Sequence, residues 1–320
     1  MQSLLRRISV LTFVCATFGQ IVTAQSGAKA PAADVSSSTQ KGLSLAEGGH
    51  CREALPILKK SAPQSADKQL KLKSGLAIVR CALSLNQVDT AVIALLWLNR
   101  DFPSDPDVLY VTTHAYSDLS TRAALQLAGS APLSVQAHEL NAEALESQGK
   151  WDEAAAEYNE ILKQQPGLPG IHYRLGRIIL SKPPTPTTPD DARSEFQSEL
   201  KLDPKNAGAE YVLGELSRQA QQWDDAIEHF SRASKLDANF ANAFLALGLS
   251  LNSAGRYADA IAPLETEVKL QPANPTGHYQ LTIAYRKAGR KQDAEREMAL
   301  FQQTSEKAQK EQQGEPQQPQ

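Results

Sequence analysis

Six histidines are the residues of this 320-residue chain best suited to chemistry, because imidazole binds metals and transfers protons near neutral pH. His138, His172 and His278 each open a similar stretch of sequence, and the three stretches lie far apart along the chain. Metal ligands must converge on one ion, which side chains repeated at such intervals do not do. We therefore predict that these three are partly buried packing residues. The others have no cysteine or carboxylate at a ligand spacing: His50, His114 and His229.

Paired carboxylates are the second candidate, since two acids can share general acid–base catalysis. Asp190-Asp191 and Asp224-Asp225 each stand just before an apolar run, where a helix would begin. Carboxylates there accept bonds from free backbone N–H groups and face the positive end of the helix dipole. The sequence contains no Ser-centred elbow, no His-Glu-x-x-His run and no glycine-rich phosphate loop. We predict no catalytic residues, no metal and no cofactor.

Two tryptophans, Trp151 and Trp223, could stack on a ligand. Each follows a polar turn at the start of an apolar segment, a position that also suits packing in the joint between two helices. We predict packing, with ligand stacking as the alternative.

The first 24 residues have the pattern of an export signal. Arg6 and Arg7 precede a mostly apolar segment, and Val22-Thr23-Ala24 provides the small residues that a signal peptidase requires. The apolar segment is shorter than the roughly 18–20 residues that cross a bilayer, so we predict cleavage after Ala24, with an uncleaved anchor as the alternative. Cys15 lacks the preceding residues of a lipoprotein signal. We expect a periplasmic or secreted protein.

The charge balance argues against a nucleic-acid partner. Removing the signal leaves 31 basic residues against 36 acidic ones, a net charge of about −5, with the two signs interleaved. Binding to phosphate backbones needs clustered positive charge. Because no second apolar span follows, we expect no stable membrane span after signal cleavage.

A period of 34 residues organises most of the chain. Alanines recur at this interval, after a first step of 38: Ala154, Ala192, Ala226, Ala260 and Ala294. A larger apolar residue follows each alanine by four positions: Tyr158, Phe196, Phe230, Leu264 and Met298. Leu-Gly pairs precede three of the alanines, and prolines close three of the units: Leu175-Gly176, Leu213-Gly214, Leu247-Gly248, Pro166, Pro204 and Pro272.

Each unit therefore predicts two amphipathic helices joined by a short polar turn and ended by a helix breaker. Small residues at fixed places let the two helices approach, and the larger residue fills the space beside them. One such hairpin cannot bury its apolar face alone, so consecutive units must stack.

This pattern resembles the tetratricopeptide repeat (TPR), whose units carry Leu-Gly in the first helix, Ala and then an aromatic in the second, and a closing Pro. The match is strong over five units: 135–168, 169–206, 207–240, 241–274 and 275–303. Departures are Asn141-Ala142 in place of Leu-Gly, Thr282 in place of Gly, and Ala238 in place of Pro. The resemblance implies an all-α, right-handed superhelical solenoid of stacked antiparallel helix pairs.

Residues 39–134 continue the register in a degenerate form. Two weak units precede a shortened one over residues 106–130, whose second helix would end at Gly129, giving about eight helix pairs. Residues 25–38 and the Gln-rich 304–320 have too little apolar content to offset the entropy of ordering, so we predict a flexible linker and a disordered tail. The proline-rich residues 181–192 fall at a turn lengthened by four residues, which predicts a tolerated insertion rather than a domain boundary.

Cys51 and Cys81 are the cysteines that remain after signal cleavage. In the repeat register Cys51 begins the second helix of the first pair and Cys81 lies in the first helix of the next. Stacked neighbours bring those helices together, and an exported protein keeps disulfides, so we predict a bridge. Two independent thiols are the alternative.

In this family the first helices line a concave face along which peptides or partner segments lie. Projecting the register gives these exposed inner residues: Tyr173, Arg177, Tyr211, Glu215, Arg218, Leu245, Leu249, Asn252, Tyr279, Ile283 and Arg286. Some members capture a carboxylate with a Lys and an Asn at places that here hold Glu139 and Glu143, then Tyr173 and Arg177, so that clamp is absent.

The sequence thus favours a non-enzymatic exported scaffold that binds a protein or peptide in envelope or secretion-related assembly. Two alternatives remain. One is a glycan- or peptide-processing enzyme built on a repeat body, and the other is a structural protein that self-associates.

Overall fold

The computed structural model describes residues 32–312, which form helices without a strand among them. The helices are α1 (Ala32–Glu47), α2 (Cys51–Ser61), α3 (Lys68–Ser84), α4 (Val88–Asp101), α5 (Pro106–Ser130), α6 (Val135–Ser147), α7 (Trp151–Gln164), α8 (Ile171–Ser181), α9 (Thr188–Leu202), α10 (Ala207–Gln219), α11 (Trp223–Leu236), α12 (Ala241–Ser253), α13 (Tyr257–Leu270), α14 (Pro275–Lys287) and α15 (Lys291–Gln312). A 3₁₀ turn, Ala62–Gln64, follows α2. The predicted export signal lies outside these residues.

The chain divides into two compact units within α5, after Ala123. In the N-terminal unit, α1 pairs with α2 and α3 with α4. In the C-terminal unit five pairs follow one another, α6 with α7 through α14 with α15, and each second helix also contacts the first helix of the next pair. The predicted fold class, all-α with stacked antiparallel helix pairs, is confirmed. Within residues 32–312 no helix is both long and apolar enough to cross a membrane.

The alanine ladder lies where first and second helices meet. All five alanines are buried, and the residue four positions later is fully buried in four units: Tyr158, Phe196, Phe230 and Leu264. The large side chain occupies the space above a small residue of the first helix. A Cβ added at Gly214 would lie 2.6 Å from Cε1 of Phe230, and one added at Gly176 would lie 2.8 Å from Cζ of Phe196. The Leu-Gly pattern is thus a steric requirement of each helix pair.

Most turns within pairs contain one residue with a positive φ angle, which reverses the chain in about three residues. Glycine fills this place in several pairs, including Gly149 and Gly255, because it adopts the left-handed region without a Cβ penalty. Gln221 takes the same conformation, with φ of 59°, at the matching place in the α10–α11 turn.

The proline-rich stretch forms the longer turn between α8 and α9. Only residues 182–187 lie outside the helices, so the turn is shorter than the predicted eight residues. The second helix begins early because Pro189 sits in its first turn, where its missing N–H and fixed φ are tolerated. Thr188 Oγ1 also accepts a bond from the Thr185 backbone N–H at 2.8 Å, which closes the turn.

Residues 106–130 differ from the sequence prediction, because the expected short helix pair is the single 25-residue helix α5. No glycine or proline interrupts the chain between Pro106 and Gly129, so the polar residues near Ser117 and Ser120 continue the helix instead of turning it. The described residues therefore hold seven pairs and one unpaired helix rather than eight pairs. Only Val108 and Ala115 of α5 are buried.

Both predicted tails are partly helical. Helix α1 begins at Ala32, inside the predicted linker, because its Thr39 and Gly42 pack into the first helix pair. Helix α15 continues to Gln312, inside the predicted disordered tail. Its last turns are largely exposed but rich in Ala, Glu, Lys and Gln, which favour helix without burial. Residues 25–31 and 313–320 lie outside the described range.

Cys51 and Cys81 form a disulfide between α2 and α3, with Cα atoms 5.0 Å apart. Cys81 is buried in the core of the N-terminal unit, and Cys51 packs against that core. The bridge joins two consecutive helix pairs in the part of the chain where the repeat pattern is weakest.

We predict that Gly214→Ala destabilises the protein although alanine is the better helix former. The propensity gain of about 0.5–1 kcal/mol is smaller than the cost of forcing a methyl group against Phe230, about 1–3 kcal/mol. Chemical denaturation followed by circular dichroism measures the difference. The matched control is Gly129→Ala in α5, where an added Cβ meets no atom within 4 Å. Equal stability of the two variants would contradict the steric reading.

Removing the disulfide should destabilise the N-terminal unit. The bridge closes a loop of 30 residues in the unfolded chain, which corresponds to a loss of about 3–4 kcal/mol for Cys51→Ala with Cys81→Ala. A reducing agent should lower the melting temperature of the wild type by a similar amount and leave the double variant unchanged. Free thiols in exported protein, detected by alkylation and mass spectrometry without reduction, would show that the bridge does not form.

Candidate partner-binding face

The eleven residues predicted to face a partner lie on α8, α10, α12 and α14, the first helices of four consecutive pairs. We call this set the first-helix face. Three members are exposed, Arg177, Tyr279 and Arg286, and most of the others are half-buried. Because the four helices belong to one stack, equivalent residues recur from one helix to the next.

Asn252 does not lie open on this face as the sequence prediction required. Its side chain is only 9% exposed, and Nδ2 donates to the backbone oxygen and to Oε1 of Gln280, both at 3.1 Å. At its place near the end of α12 the side chain reaches α14, so it joins two first helices. It is a positioning residue of the stack, not an exposed contact.

The tyrosines of the face are held by aromatic neighbours. The ring of Tyr173 packs edge-on against Phe196 at 5.5 Å, and that of Tyr211 lies 5.6 Å from Phe230 and 4.9 Å from Phe240. Burial raises the pKa of Tyr211, so its hydroxyl stays protonated at neutral pH. These rings are anchored on one side and accessible on the other.

The charged members fall into two groups. Arg218 donates to Glu215 Oε2 at 2.7 Å from NH2, and this bond raises the pKa of the guanidinium above its ordinary value. In contrast, the side chains of Arg177 and Arg286 have no hydrogen-bond or ionic partner within residues 32–312. Two cations on this face are therefore available to a carboxylate from outside.

The acidic residues at the place of the missing clamp are already engaged. Arg174 on α8 donates to Glu143 at 3.0 Å and lies 3.7 Å from Glu146, both on α6. Glu146 also accepts the hydroxyl proton bond of Tyr158 at 2.6 Å. These contacts hold α6 against α8 and leave Glu139 exposed at the edge.

Four histidines each hydrogen-bond a glutamate of the partner helix in the same pair. Nδ1 lies 2.6–2.7 Å from the carboxylate in His138–Glu157, His172–Glu195, His229–Glu210 and His278–Glu297. In the third pair the two residue types have exchanged helices. The expectation that His229 lacks a carboxylate partner is wrong, because Glu210 lies nineteen residues earlier but directly across the pair. The spacing of 19 residues, within one unit, was the signal that could have found these contacts.

Two glutamates, Glu199 and Glu267, are fully buried near the start of first helices. Glu199 accepts bonds from the backbone N–H of Gly170 at 2.8 and 2.9 Å and from that of Tyr173 at 3.2 Å. Glu267 accepts one bond, from Asn274 Nδ2 at 2.6 Å, and its Oε2 has no partner. Burial raises the pKa of Glu267, and the bond from Asn274 opposes that shift.

The residues first considered for chemistry do not converge. Within the part of the chain that the structure describes, no three His, Cys, Asp or Glu side chains could hold a metal ion. The pairs Asp190-Asp191 and Asp224-Asp225 lie exposed in the first turns of α9 and α11, where no side-chain cap bond is formed. Trp151 packs against the core of the α6–α8 region, as the packing interpretation requires.

Comparison with protein families identifies the repeat. The sequence pattern described as "Tetratricopeptide repeat" matches residues 118–169, 188–240, 211–275 and 245–302, more than half of the chain. The chain therefore belongs to the tetratricopeptide-repeat family, and its C-terminal unit is a TPR scaffold.

A search of curated proteins finds no match. Similar solved structures include MamA, 25% identical over 53% of this chain and 96% of that chain, with a TM-score of 0.47. Another is YrrB, a TPR protein with an unusual peptide-binding site, 18% identical over 57% of this chain and 92% of that chain, with a TM-score of 0.49. MamA from Desulfovibrio magneticus RS-1 is 17% identical over 54% and 96%, with a TM-score of 0.47.

The two buried glutamates should respond in opposite ways to loss of charge. A folded pKa raised above the unfolded value gives stability that is present at low pH and is lost as the pH rises through the folded pKa. Glu267→Gln keeps an acceptor for Asn274 and stays neutral, so the variant should be more stable than the wild type at pH 7 and similar at pH 4.

Glu199→Gln is the matched control, because the amide replaces one acceptor of backbone N–H groups with a donor. We expect a loss of about 1.5–3 kcal/mol at pH 7. Thermal unfolding between pH 4 and pH 8 measures both variants. A Glu267→Gln protein that is less stable than the wild type at pH 7 would refute the account of this carboxyl.

Proposed function

We propose that this protein is an exported, non-enzymatic TPR scaffold that binds a protein or peptide partner along the first-helix face, in envelope or secretion-related assembly. One observation carries the proposal. The packing of the stack uses the small and aromatic residues, and it leaves anchored tyrosines, half-exposed leucines and two unpaired arginines on consecutive first helices. Tyr and Arg beside apolar side chains are the composition enriched in binding sites.

The non-enzymatic part of the proposal is supported by the bonds of the titratable groups. The histidines of the helix pairs bond glutamates across each pair, and Glu199 bonds the start of α8. These groups serve the joints between helices and do not surround a common cleft.

Export is supported by the signal pattern of the first 24 residues and by the disulfide. A thiol pair that forms a bridge between helices fits an oxidising compartment, the periplasm or the extracellular space.

The experiment is affinity capture from envelope extracts with the chain that begins at Gln25. The test variant carries Arg177→Ala, Tyr279→Ala and Arg286→Ala, which remove exposed members of the face with little loss of packing. The matched control carries Gln197→Ala, Lys235→Ala and Lys269→Ala, three exposed residues of second helices.

We expect the test variant to lose the captured partner and the control variant to retain it, with both melting near the wild-type temperature. Equal recovery by the two variants would remove the first-helix face from the account. Light scattering on the purified chain separates partner binding from self-association, since a self-associating structural protein would sediment and scatter as an oligomer without a partner.

A further inference from the structure

Resting on the proposed function, we propose that the occupant of the first-helix face is an extended polyproline-II segment with proline at every third residue and a carboxylate near each end. The contact surface is the tyrosine row, which we define as Tyr173, Tyr211, Leu245 and Tyr279. Each stands two residues before the leucine at the centre of its first helix. Equivalent places in stacked pairs form a line that crosses α8, α10, α12 and α14.

The hydroxyls of the row are free while its rings are fixed. The rings pack on Phe196, on Phe230 and Phe240, and, for Tyr279, on Phe301 at 5.3 Å. None of the three hydroxyls has a hydrogen-bond partner within residues 32–312. The tyrosines inside the stack differ, because Tyr158 and Tyr285 donate to Glu146 and Glu265 at 2.6 Å.

A fixed aromatic ring with a free hydroxyl suits a proline-rich backbone. Polyproline II has no internal hydrogen bonds, so its carbonyl oxygens are available to hydroxyl donors, and its proline rings dock on aromatic surfaces. Because the rings are already held by neighbouring phenylalanines, little side-chain entropy is lost on binding.

The spacing of the row selects this conformation. Consecutive first helices contact each other directly, as the bonds from Asn252 to Gln280 show, and packed helices lie about 8–10 Å apart. Polyproline II advances about 3.1 Å per residue, so three residues span about 9.3 Å and return a side chain to the same side. A β-strand returns a side chain to one face about every 6.6 Å, which falls out of step with the helices.

Charge complementarity fixes the ends of the segment. Arg177 and Arg286 lack partners, and they belong to the first and last helices of the row. Three helix-to-helix steps separate them, about 28 Å, or about nine residues of polyproline II. A carboxylate near each end of a ten-residue segment therefore meets an unpaired guanidinium.

The test uses fluorescein-labelled peptides and the full chain from Gln25, with binding followed by fluorescence anisotropy. The probe is EQPQQPQQPE, with prolines three apart. The composition control is EPQPQPQQQE, with prolines two apart, and the charge control is KQPQQPQQPK. We expect each control to bind at least tenfold more weakly than the probe, because one loses the step of the row and the other loses both carboxylates.

Protein variants test the row itself. Tyr211→Phe and Tyr279→Phe keep the rings and remove the hydroxyls, so each should weaken the probe about fivefold, the value of one hydrogen bond. Tyr257→Phe, at the start of the second helix α13, is the matched control and should leave the affinity unchanged. Unchanged affinity in the row variants, or equal binding of the two proline spacings, would overturn the proposal.

Two further outcomes distinguish this proposal from the proposed function. If the probe fails to bind while the captured partner still requires Arg177, Tyr279 and Arg286, the polyproline inference is wrong and the binding face stands. If neither depends on those residues, both are wrong. The chain's own residues 313–320 include Pro316 and Pro319, three apart, after Glu315. A chain ending at Gln312 that binds the probe tenfold more tightly than the full chain would overturn the proposal of an external partner.

Discussion

The close approach of two helices within each pair is the constraint on which the rest of this structure depends. A glycine or other small residue of the first helix lies under a large apolar residue of the second, as Gly214 lies under Phe230. Burial of that large side chain supplies much of the apolar stabilisation of the pair, about 1.5–3 kcal/mol for each such residue. A methyl group added at the contact would have no room, so the approach is set by atoms in contact and not by helix propensity.

This constraint divides the surface of the stack by function. Second helices spend their apolar face on the pair and on the next first helix, and the interhelical His–Glu bonds satisfy polar groups at the same joints. First helices keep a second face that no neighbour covers completely. The tyrosines there are anchored from below, and Arg177 and Arg286 point to no partner in the described chain. A surface left over by packing is therefore also a regular one, because the packing repeats.

The sequence was sufficient for the repeat register and for the buried ladder, since a 34-residue period of small and large residues has a direct steric meaning. It was insufficient where the outcome depends on a missing breaker. Helix α5 stays straight through the expected turn because no glycine or proline stops it, and α15 continues to Gln312 on helix propensity alone. Asn252 was placed on the open face because helical periodicity describes one helix at a time, whereas its amide reaches across to α14. The His–Glu bonds were hidden for the same reason: their two members belong to different helices.

Residue-level solvent accessibility in the free protein tests the central claim, the separation of a packed ladder from an open face. Hydroxyl-radical footprinting with mass spectrometry reports this for aromatic side chains directly. The account predicts strong modification of Tyr279, weaker modification of Tyr173 and Tyr211, and protection of the buried rings of Tyr158, Phe196 and Phe230. Modification of the buried rings at a rate equal to that of Tyr279 would contradict it.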